Sequence, residues 1–385
     1  MRIGIDARCL MDGRRTGVEE YTINLLKGLF CQDNGNEYVL FLNSFKKINA
    51  DLSWLEKYPN VKLKIFRFPN KLLSLFFWYW HWPKIDKLLG GVDIFFMPNI
   101  SFAAVSDKAR LVLTVHDLSF EHCSETFSWK RKLWHLFINP KELIQRADKI
   151  TTISNSTKND LVDFYGVNEK KITVIYNGIS NEFSVINRNN LKLIQIKEKY
   201  KLPYRFILFL GVIEPRKNII GLIRAYNILR KAEGDKLSEY KLVIAGAEGW
   251  KSKRIFSEIE KSPFRRDIIF VGTVNSKDKP AFYNLASIFV YPSFFEGFGF
   301  PPLEAMKCGV PVITSNVSSL PEIVGEAGIL VDPDKPDEIY QAISGILLNK
   351  KLRENLIEKG LRQSAKFNWG KAAKEFLATL DDMNH

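Results

Sequence analysis

Two glutamates lie on either side of a loop rich in glycine and proline in the segment FFEGFGFPPLEAM, residues 294–306. Glu296 and Glu304 have seven residues between them. Carboxylates accept hydrogen bonds from the vicinal hydroxyls of a ribose or a hexose, and the free backbone N–H groups of such a loop suit a diphosphate. The spacing therefore predicts a binding site for a ligand that combines sugar and phosphate.

The residues between the two acids predict a strand, a turn and then a helix. SIFVYPS reads as a strand, and Gly297 and Gly299 permit backbone conformations that are closed to other residues. Pro301 and Pro302 are tolerated in the first turn of a helix, whose N–H groups lack intrahelical partners. We therefore expect a helix over LEAMKCG that points its N terminus at the loop and carries Glu304 in its first turn.

Each acid taken alone has a simpler interpretation. Glu304 would stabilise a helix N terminus by roughly 0.3 to 1 kcal/mol, and Glu296 would be a solvated acid in a loop. Two acids that bracket one anion-binding loop favour the ligand interpretation.

A second loop with binding chemistry follows the strand in FLGVIEPRKN. Arg216 and Lys217 come soon after the strand-end glycine Gly211, and they would neutralise a pyrophosphate, Arg as a planar fork and Lys as a point charge. Cations at a helix start are mildly unfavourable, so a ligand explains this pair better than helix formation does. Glycine recurs after later strands at Gly246 and Gly272, which is a weak signal at each position.

The first half of the chain offers two candidate positions. Gly17 in RTGVEEY lies in a loop before a helix, and His116 with Asp117 ends the strand in LTVHDLSF. A lone histidine is more often structural than functional. At the carboxyl end of a strand and beside an acid, His116 is a candidate for substrate contact.

The elements that must position these residues form two α/β patterns. A chain of 385 residues predicts two domains and a cleft between them. Buried apolar strands alternate with amphipathic helices, first from RIGID to KITVIYNG and again from FILFLGV to GILVDP. This alternation is typical of parallel sheets covered on both faces, so we predict two doubly wound α/β domains. We place them at 1–185 and 206–367, with a connection over 186–205.

The remaining residues, 368–385, predict a closing helix in WGKAAKEFLATLDDM, for which packing back on the first domain is one arrangement. Four single cysteines, Cys9, Cys31, Cys123 and Cys308, show no zinc spacing and indicate reduced thiols in a cytosolic compartment. The start MRIGIDARCL lacks the apolar core of a secretory signal, so no export is expected. The most apolar stretch, 72–82, is too short to span a bilayer.

The net charge favours anionic partners. Lys and Arg number 56 against 43 Asp and Glu, which gives a formal charge of +13. Residues 64–87 contain five basic residues, interleaved with the six aromatic residues Phe76, Phe77, Trp78, Tyr79, Trp80 and Trp82, a composition that suits the surface of an acidic membrane. The alternative, which we favour, is that the rings pack into the core, because aromatic stripes usually bury themselves.

These motifs together resemble the family 4 retaining glycosyltransferases, nucleotide-sugar enzymes with two Rossmann-like domains in the GT-B arrangement. The resemblance covers nearly the whole chain. It is carried by IGIDAR, RTGVEEY, TVHD, KITTISNSTKNDL, VIYNGI, LGVIEPRKN, FVGTV and most specifically by EGFGFPPLEAMKCGVPVITSNVSSLPEIVGEAGILVDP. One departure is Glu20, which stands where many relatives carry a basic residue.

The resemblance implies a role for each matching residue. The first domain would bind the acceptor and the second the donor. The residues implied to act on the reacting sugar are Glu296 and His116. Those implied to bind the donor, including its ribose and diphosphate, are Gly17, Gly211, Arg216, Lys217, Gly272, Val274, Gly297, Phe298, Gly299, Leu303 and Glu304.

The implied activity is transfer of a hexose with retention, in the synthesis of a cell-surface polysaccharide. The segment SSLPEIVGEAGILVDP looks most like the branch that uses GDP-mannose, with a UDP-sugar as the alternative donor. The implied partners are the nucleotide sugar and a glycan or lipid-linked acceptor. No cofactor or metal is expected, because Arg, Lys and a helix N terminus can neutralise the diphosphate.

Two other classes of function fit parts of the sequence. A nucleic-acid binder would use the same positive charge, but no segment resembles an RNA-binding module, so no nucleic acid is expected as a partner. A non-catalytic scaffold would keep the fold, yet it would have little need of both glutamates and the Arg–Lys pair. We therefore expect an enzyme in the cytoplasm, with the inner face of the cell membrane as one place of action.

Overall fold

The structure is a computed structural model that contains two compact units. The first unit consists of Met1–Gly178 and the C-terminal segment from Asn368, and the second consists of Ile179–Phe367. The residues that the structure describes are 1–11, 17–45, 48, 50–122 and 138–383.

The first unit is built on a parallel sheet of seven described strands with the order β3-β2-β1-β4-β5-β6-β7. Because β1 pairs with β2 on one side and with β4 on the other, the winding of the chain reverses between β1 and β4. The strands are β1 (Arg2–Asp6), β2 (Glu37–Asn43), β3 (Val61–Phe66), β4 (Ile94–Met97), β5 (Arg110–Val115), β6 (Lys149–Thr152) and β7 (Ile172–Val174).

The second unit repeats this plan with six described strands in the order β10-β9-β8-β11-β12-β13. Here the winding reverses between β8 and β11, which pair in parallel. The strands are β8 (Arg205–Leu210), β9 (Tyr240–Ala245), β10 (Ile268–Gly272), β11 (Ile288–Tyr291), β12 (Val312–Ser315) and β13 (Gly328–Val331).

Helices connect these strands in both units. In the first unit the described helices are α1 (Gly17–Gln32), α2 (Asn70–Tyr79), α3 (Ile85–Leu88), α4 (Ser119–His122), α5 (Pro140–Arg146) and α6 (Asn155–Tyr165). In the second unit they are α7 (Leu191–Lys199), α8 (Ile219–Glu233), α9 (Lys253–Lys261), α10 (Lys279–Leu285), α11 (Phe300–Lys307), α12 (Leu320–Val324), α13 (Pro336–Leu348) and α14 (Lys350–Ser364). The last helix, α15 (Trp369–Asp381), belongs to the first unit.

The central strands are apolar on both faces, as a doubly wound sheet requires. Every residue of β4 and β11 is buried, and β8 is buried after its first residue. The prediction of two doubly wound α/β domains is therefore confirmed for each unit.

The closing helix α15 packs against α1 within the first unit. The approach is close, because a Cβ added at Gly28 would lie 2.8 Å from the Cβ of Ala373. The ring of Phe376 also lies 4.5 Å from that of Phe96 in the sheet. The segment 186–205, predicted to connect the domains, contains α7, which buries Leu193 and Ile196 in the second unit.

The aromatic stretch near α2 departs from the expected core packing. Phe77 is buried, but the other rings of that stretch are exposed, namely Phe76, Trp78, Tyr79, Trp80 and Trp82. The reason is that α2 turns only Leu73 and Phe77 towards the core of the first unit. The prediction of core packing is therefore wrong for these five residues.

No described helix has the length and the hydrophobicity that crossing a bilayer requires. Cys9, Cys31 and Cys308 are free thiols. Cys123 lies outside the described residues.

Candidate active site

The loop between β11 and α11 carries the two glutamates. Pro301 and Pro302 lie in the first turn of α11, as predicted, and Gly299 caps the helix with a φ of 110° that favours glycine. The helix begins at Phe300, so Glu304 is its fifth residue. The prediction that Glu304 lies in the first turn is wrong, and an effect of the helix dipole does not explain its presence.

The loop backbone is held in place by the segment before α12. Ser319 Oγ donates hydrogen bonds to the carbonyl oxygens of Glu296 and Phe298 at 2.9 and 2.8 Å, and the N–H of Glu296 donates to Ser318 Oγ at 3.0 Å. Within the described residues, the N–H groups of residues 297–299 donate no hydrogen bond. These groups at the start of α11 are available to an anionic ligand.

The loop after β8 lies beside this one because β8 and β11 are neighbours where the winding reverses. A short 3-10 helix spans Pro215–Lys217. Asn218 then caps α8 with a positive φ, and its side-chain Oδ1 accepts a hydrogen bond from the N–H of Gly221. The N–H of Phe294 donates to the carbonyl oxygen of Arg216 at 2.8 Å, which joins the two loops. Ligands of doubly wound folds bind at this position.

Four charged side chains meet between the two loops. Lys217 Nζ lies 2.5 Å from Glu296 Oε1, and Arg216 Nη1 lies 3.1 Å from Glu296 Oε2. Arg216 Nη2 also lies 2.9 Å from Glu214 Oε1. Lys217 is placed over the ring of Tyr291 at 5.2 Å. Two cations are thus balanced by two carboxylates. We call these four residues, Glu214, Arg216, Lys217 and Glu296, the charged cluster.

Burial and charge act on the cluster in opposite directions. Burial opposes the ionisation of Glu296, but the charges of Arg216 and Lys217, with hydrogen bonds from Lys217 and Ser293, lower its pKa to about 2. Burial also lowers the pKa of Lys217, although Glu296 works against this. Glu296 is therefore a carboxylate at neutral pH, suited to accept hydrogen bonds and unsuited to act as a general acid.

The second glutamate occupies a separate buried position. Tyr283 on α10 donates a hydrogen bond from its hydroxyl to Glu304 Oε2 at 2.7 Å. Burial and the charge of Glu304 raise the pKa of Tyr283 well above its usual value. Tyr283 therefore remains a hydrogen-bond donor that fixes the orientation of Glu304.

The predicted glycines lie side by side at the carboxyl ends of β8, β9 and β10. The N–H of Gly211 donates to the carbonyl oxygen of Ala245 at 3.0 Å, and the N–H of Gly246 donates to that of Gly272 at 2.8 Å. A Cβ at Gly246 would lie 1.8 Å from the carbonyl oxygen of Gly211. Val274 follows on the loop after Gly272. The close backbone approach explains why glycine is required at Gly246.

The remaining loop residues of the prediction are buried in the second unit. Gly297, Phe298 and Leu303 have little exposed surface, and Leu303 lies in the core side of α11. The side chains of Phe298 and Leu303 therefore support the loop, and only their backbone groups are candidates for ligand contact.

Gly17 and His116 lie near each other in the first unit. Gly17 is the first residue of α1, and Tyr21, one turn later, packs edge-on against the His116 ring at 4.7 Å. His116 Nε2 lies 2.8 Å from the carbonyl oxygen of Pro98, so this nitrogen carries the proton. Burial lowers the pKa of His116 despite the hydrogen bond and the nearby Asp117. His116 is therefore neutral at pH 7.

A cavity of about 310 Å³ lies in the first unit beside the carboxyl ends of β1 and β4, where its winding reverses. Its wall includes Asp6, Arg8, Asn70, Ser74 and Asn99. These residues could not be recognised as one site from the sequence, because the cavity joins β1 and β4 to α2, which are far apart in the chain. The wall combines these polar groups with apolar side chains.

Among the described residues, no three or more His, Cys, Asp or Glu side chains are grouped so that they could hold a metal ion. Asp332 and Asp334 form a D-x-D sequence after β13. The Asp332 carboxylate accepts from the N–H of Asp334 at 3.0 Å and pairs with Lys335 at 3.1 Å.

The family is established by direct matches over both units. Residues 15–183 match the model described as Glycosyltransferase Family 4, and residues 193–363 match that of Glycosyl transferases group 1. The chain therefore belongs to the family 4 glycosyltransferases. This confirms the family predicted from the motifs.

Two relatives of this chain are named as mannosyltransferases. O-antigen chain mannosyltransferase B of Escherichia coli is 35% identical over 261 residues, which are 68% of this chain and 67% of that protein. Serotype-specific mannosyltransferase WbdA of Escherichia coli is 33% identical over 277 residues, which are 71% of this chain but 34% of that protein. The match thus spans about a third of the length of WbdA.

Solved structures establish the GT-B fold. Anabaena HepE, crystallised with UDP and glucose, has a TM-score of 0.73 at 17% identity, with 99% of this chain and 100% of that chain covered. Sucrose-phosphate synthase of Thermosynechococcus elongatus also has a TM-score of 0.73, at 19% identity, with 100% of this chain and 99% of that chain covered. The predicted GT-B fold is therefore confirmed.

Proposed function

We propose that this glycosyltransferase moves mannose from GDP-mannose, with retention and without a metal ion, to a glycan or lipid-linked acceptor in the synthesis of a cell-surface polysaccharide. Two relatives at 33 and 35% identity are named as mannosyltransferases, which supports mannose as the sugar. The carrying observation is the charged cluster, which places an ionised Glu296 against Arg216 and Lys217 at the point where the winding reverses.

Each part of the site has a place in this proposal. The diphosphate of the donor binds Arg216, Lys217 and the free N–H groups at the start of α11. It replaces carboxylates as the partner of these cations, which frees Glu296 to accept hydrogen bonds from sugar hydroxyls. Glu304, oriented by Tyr283, accepts from the ribose hydroxyls.

The chemical step follows from the charge states in the cluster. Cleavage of the glycosidic bond puts negative charge on the leaving diphosphate, where Arg216 and Lys217 stabilise it. The sugar passes through a state that resembles an oxocarbenium ion. In this proposal Glu296 accepts hydrogen bonds from the sugar and does not act as the base. The departing phosphate takes the proton of the acceptor hydroxyl as the acceptor attacks from the same face.

The donor is tested by saturation-transfer NMR with GDP-mannose, GDP, UDP-glucose and UDP. We expect contacts from the guanosine ligands and a loss of binding in Lys217→Ala, with Lys236→Ala as an exposed control of the same residue type. Stronger contacts from UDP would favour the alternative donor, a UDP-sugar, which the complex of HepE supports at the level of the fold.

Turnover separates an enzyme from a scaffold that only binds nucleotide sugars. We expect slow hydrolysis of GDP-mannose without acceptor, and its loss in Glu296→Gln. Binding without any hydrolysis, even with lipid extracts as the source of acceptor, would favour the scaffold.

Retention and metal independence have separate tests. Retention predicts that the α-anomer of mannose appears first in the NMR spectrum of the products, whereas inversion gives the β-anomer first. Metal independence predicts the same rate in EDTA as in Mg²⁺. A cytoplasmic location, at the inner face of the membrane where lipid-linked acceptors are held, is part of the proposal.

A further inference from the structure

Helix α2 presents an apolar stripe to solvent. Residues at positions i, i+3, i+4 and i+7 share one face of a helix. In α2 the residues with this spacing are Leu72, Leu75, Phe76 and Tyr79, and all four are exposed. An adjoining face supplies Leu73 and Phe77 to the core. Packing among the described residues of this unit therefore does not account for the exposed stripe.

Aromatic rings extend this stripe beyond the end of the helix. The ring centroid of Trp80 lies 4.9 Å from that of Phe76 and 4.8 Å from that of Tyr79. The ring of Trp82 lies 6.1 Å from that of Phe76. Tyr79, Trp80 and Trp82 are 65, 56 and 61% exposed. The rings form one continuous surface, which we call the aromatic face and define as Leu72, Leu75, Phe76, Tyr79, Trp80 and Trp82.

The segment that carries the aromatic face exposes charges of one sign. Between residues 61 and 87 the only acid is Asp86, which is buried and accepts hydrogen bonds from the N–H and hydroxyl of Ser106. The side chains of Arg67, Lys71 and Lys87 are exposed and form no ion pair or hydrogen bond with any described residue. This segment therefore offers three available cations and no exposed acid, while from α5 one acid and one base, Glu142 and Arg146, line a cavity with Trp78 and His81.

These features select one partner. A soluble monomer rarely exposes so much continuous apolar surface without a function. A second copy of this chain, paired by a two-fold axis, would bring the same three cations against themselves. An acidic bilayer accounts for both the exposed rings and the cations. Trp and Tyr prefer the interface between headgroups and acyl chains, and the anionic headgroups attract Arg and Lys.

We propose that the aromatic face, with Arg67, Lys71 and Lys87, docks this protein on a bilayer that contains acidic phospholipids. Docking deepens the proposed function by placing the enzyme where a lipid-linked acceptor is held. The part of this proposal that concerns the acceptor rests on the proposed function. Asn70 and Ser74, on the side of α2 that faces away from the aromatic face, line the cavity at the ends of β1 and β4. Helix α2 thus separates the bilayer surface from this cavity by about the width of one helix.

The test is co-sedimentation of the full chain with phosphatidylcholine vesicles, with and without phosphatidylglycerol. We expect binding only with phosphatidylglycerol. The triple variant Arg67→Gln, Lys71→Gln, Lys87→Gln should lose about fivefold in partition coefficient per residue, and so about a hundredfold in total. Tyr79→Ser, Trp80→Ser, Trp82→Ser should lose at least as much. Leu191→Ser, Tyr204→Ser, Leu348→Ser, which removes exposed apolar side chains of the second unit, should bind like the wild type.

Any of three results would overturn the docking proposal. The wild type does not bind acidic vesicles, it binds neutral vesicles equally well, or both triple variants bind acidic vesicles as the wild type does. A dimer in solution that the aromatic triple variant abolishes, without vesicle binding, would assign the face to a second copy. Hydrolysis of GDP-mannose in solution should be the same in the wild type and both triple variants. If the wild type binds vesicles but does not hydrolyse GDP-mannose, the proposed function fails and the docking surface stands.

Discussion

Glu296→Gln tests the charged cluster, because it removes one charge and keeps the size of the side chain. The change leaves Lys217 buried without its partner at 2.5 Å and leaves Glu214 as the remaining carboxylate of the charged cluster beside Arg216. Loss of one partner of a buried ion pair costs about 3 to 5 kcal/mol. The pKa of Glu296 leads to a similar value, since a fall from 4.5 to about 2 corresponds to about 3 kcal/mol at neutral pH.

The pH dependence of this loss has a definite sign. A carboxyl whose pKa is lowered by folding stabilises the protein above its unfolded pKa of 4.5, and this contribution disappears as the pH falls towards 2. The difference in free energy of unfolding between wild type and Glu296→Gln should therefore shrink from about 3 kcal/mol at neutral pH to about 2 kcal/mol near pH 3.5.

Differential scanning calorimetry measures the effect. For a unit of this size, about 3 kcal/mol lowers the melting temperature by about 6 to 12 °C. Glu326→Gln is the matched control, because Glu326 forms an exposed pair with Lys359 at 3.4 Å, and it should change the free energy of unfolding by less than about 0.5 kcal/mol. The double variant Lys217→Met, Glu296→Gln should be more stable than Glu296→Gln alone.

Two results would refute this reasoning. The first is a Glu296→Gln protein that melts with the wild type at neutral pH. The second is a double variant less stable than Glu296→Gln, since this would mean that the unpaired lysine is not the source of the cost.

Three further predictions concern other parts of the two units. Tyr283→Phe removes the hydrogen bond to Glu304 and should raise the KM for the donor about five- to tenfold with little change in kcat; a fall in kcat alone would contradict the role of Glu304 in ribose binding. Gly246→Ala should destabilise the second unit by about 3 kcal/mol or more in urea unfolding, because its Cβ meets the backbone at 1.8 Å. The Cβ that Gly345→Ala adds in α13 meets open space, so this change should stabilise the second unit by about 0.5 to 1 kcal/mol. Equal effects of Gly246→Ala and Gly345→Ala on the free energy of unfolding would refute the steric argument. In ¹⁵N NMR, His116 should be neutral with its proton on Nε2 near pH 6.5; a titration midpoint at or above that pH would contradict the effect of burial.

The fold was predictable because a parallel sheet buried on both faces leaves a strong local pattern. Nearly every residue of β8 and β11 is apolar, and the glycines and prolines around Glu296 mark a strand end and a helix start in the sequence itself. These signals are short-range, so they can be recognised without knowledge of the tertiary structure.

Contacts between distant segments were not predictable in the same way. Tyr283 reaches Glu304 across 21 residues, and Arg216 and Lys217 meet Glu296 only through the pairing of β8 with β11. The exposure of the rings at the end of α2 was also missed, since hydrophobicity marks a helix as apolar but does not say which face the sheet covers. Helix α11 begins three residues before the predicted start at Leu303, which places Glu304 beyond the first turn.

The most direct test of the central claim is a competition experiment that follows GDP-mannose and UDP-glucose in one sample by ¹H NMR. We predict that the wild type consumes GDP-mannose, releases the α-anomer of mannose first and leaves UDP-glucose intact, and that Glu296→Gln and Lys217→Ala consume neither. Consumption of UDP-glucose in preference to GDP-mannose, or undiminished turnover by Lys217→Ala, would contradict the account.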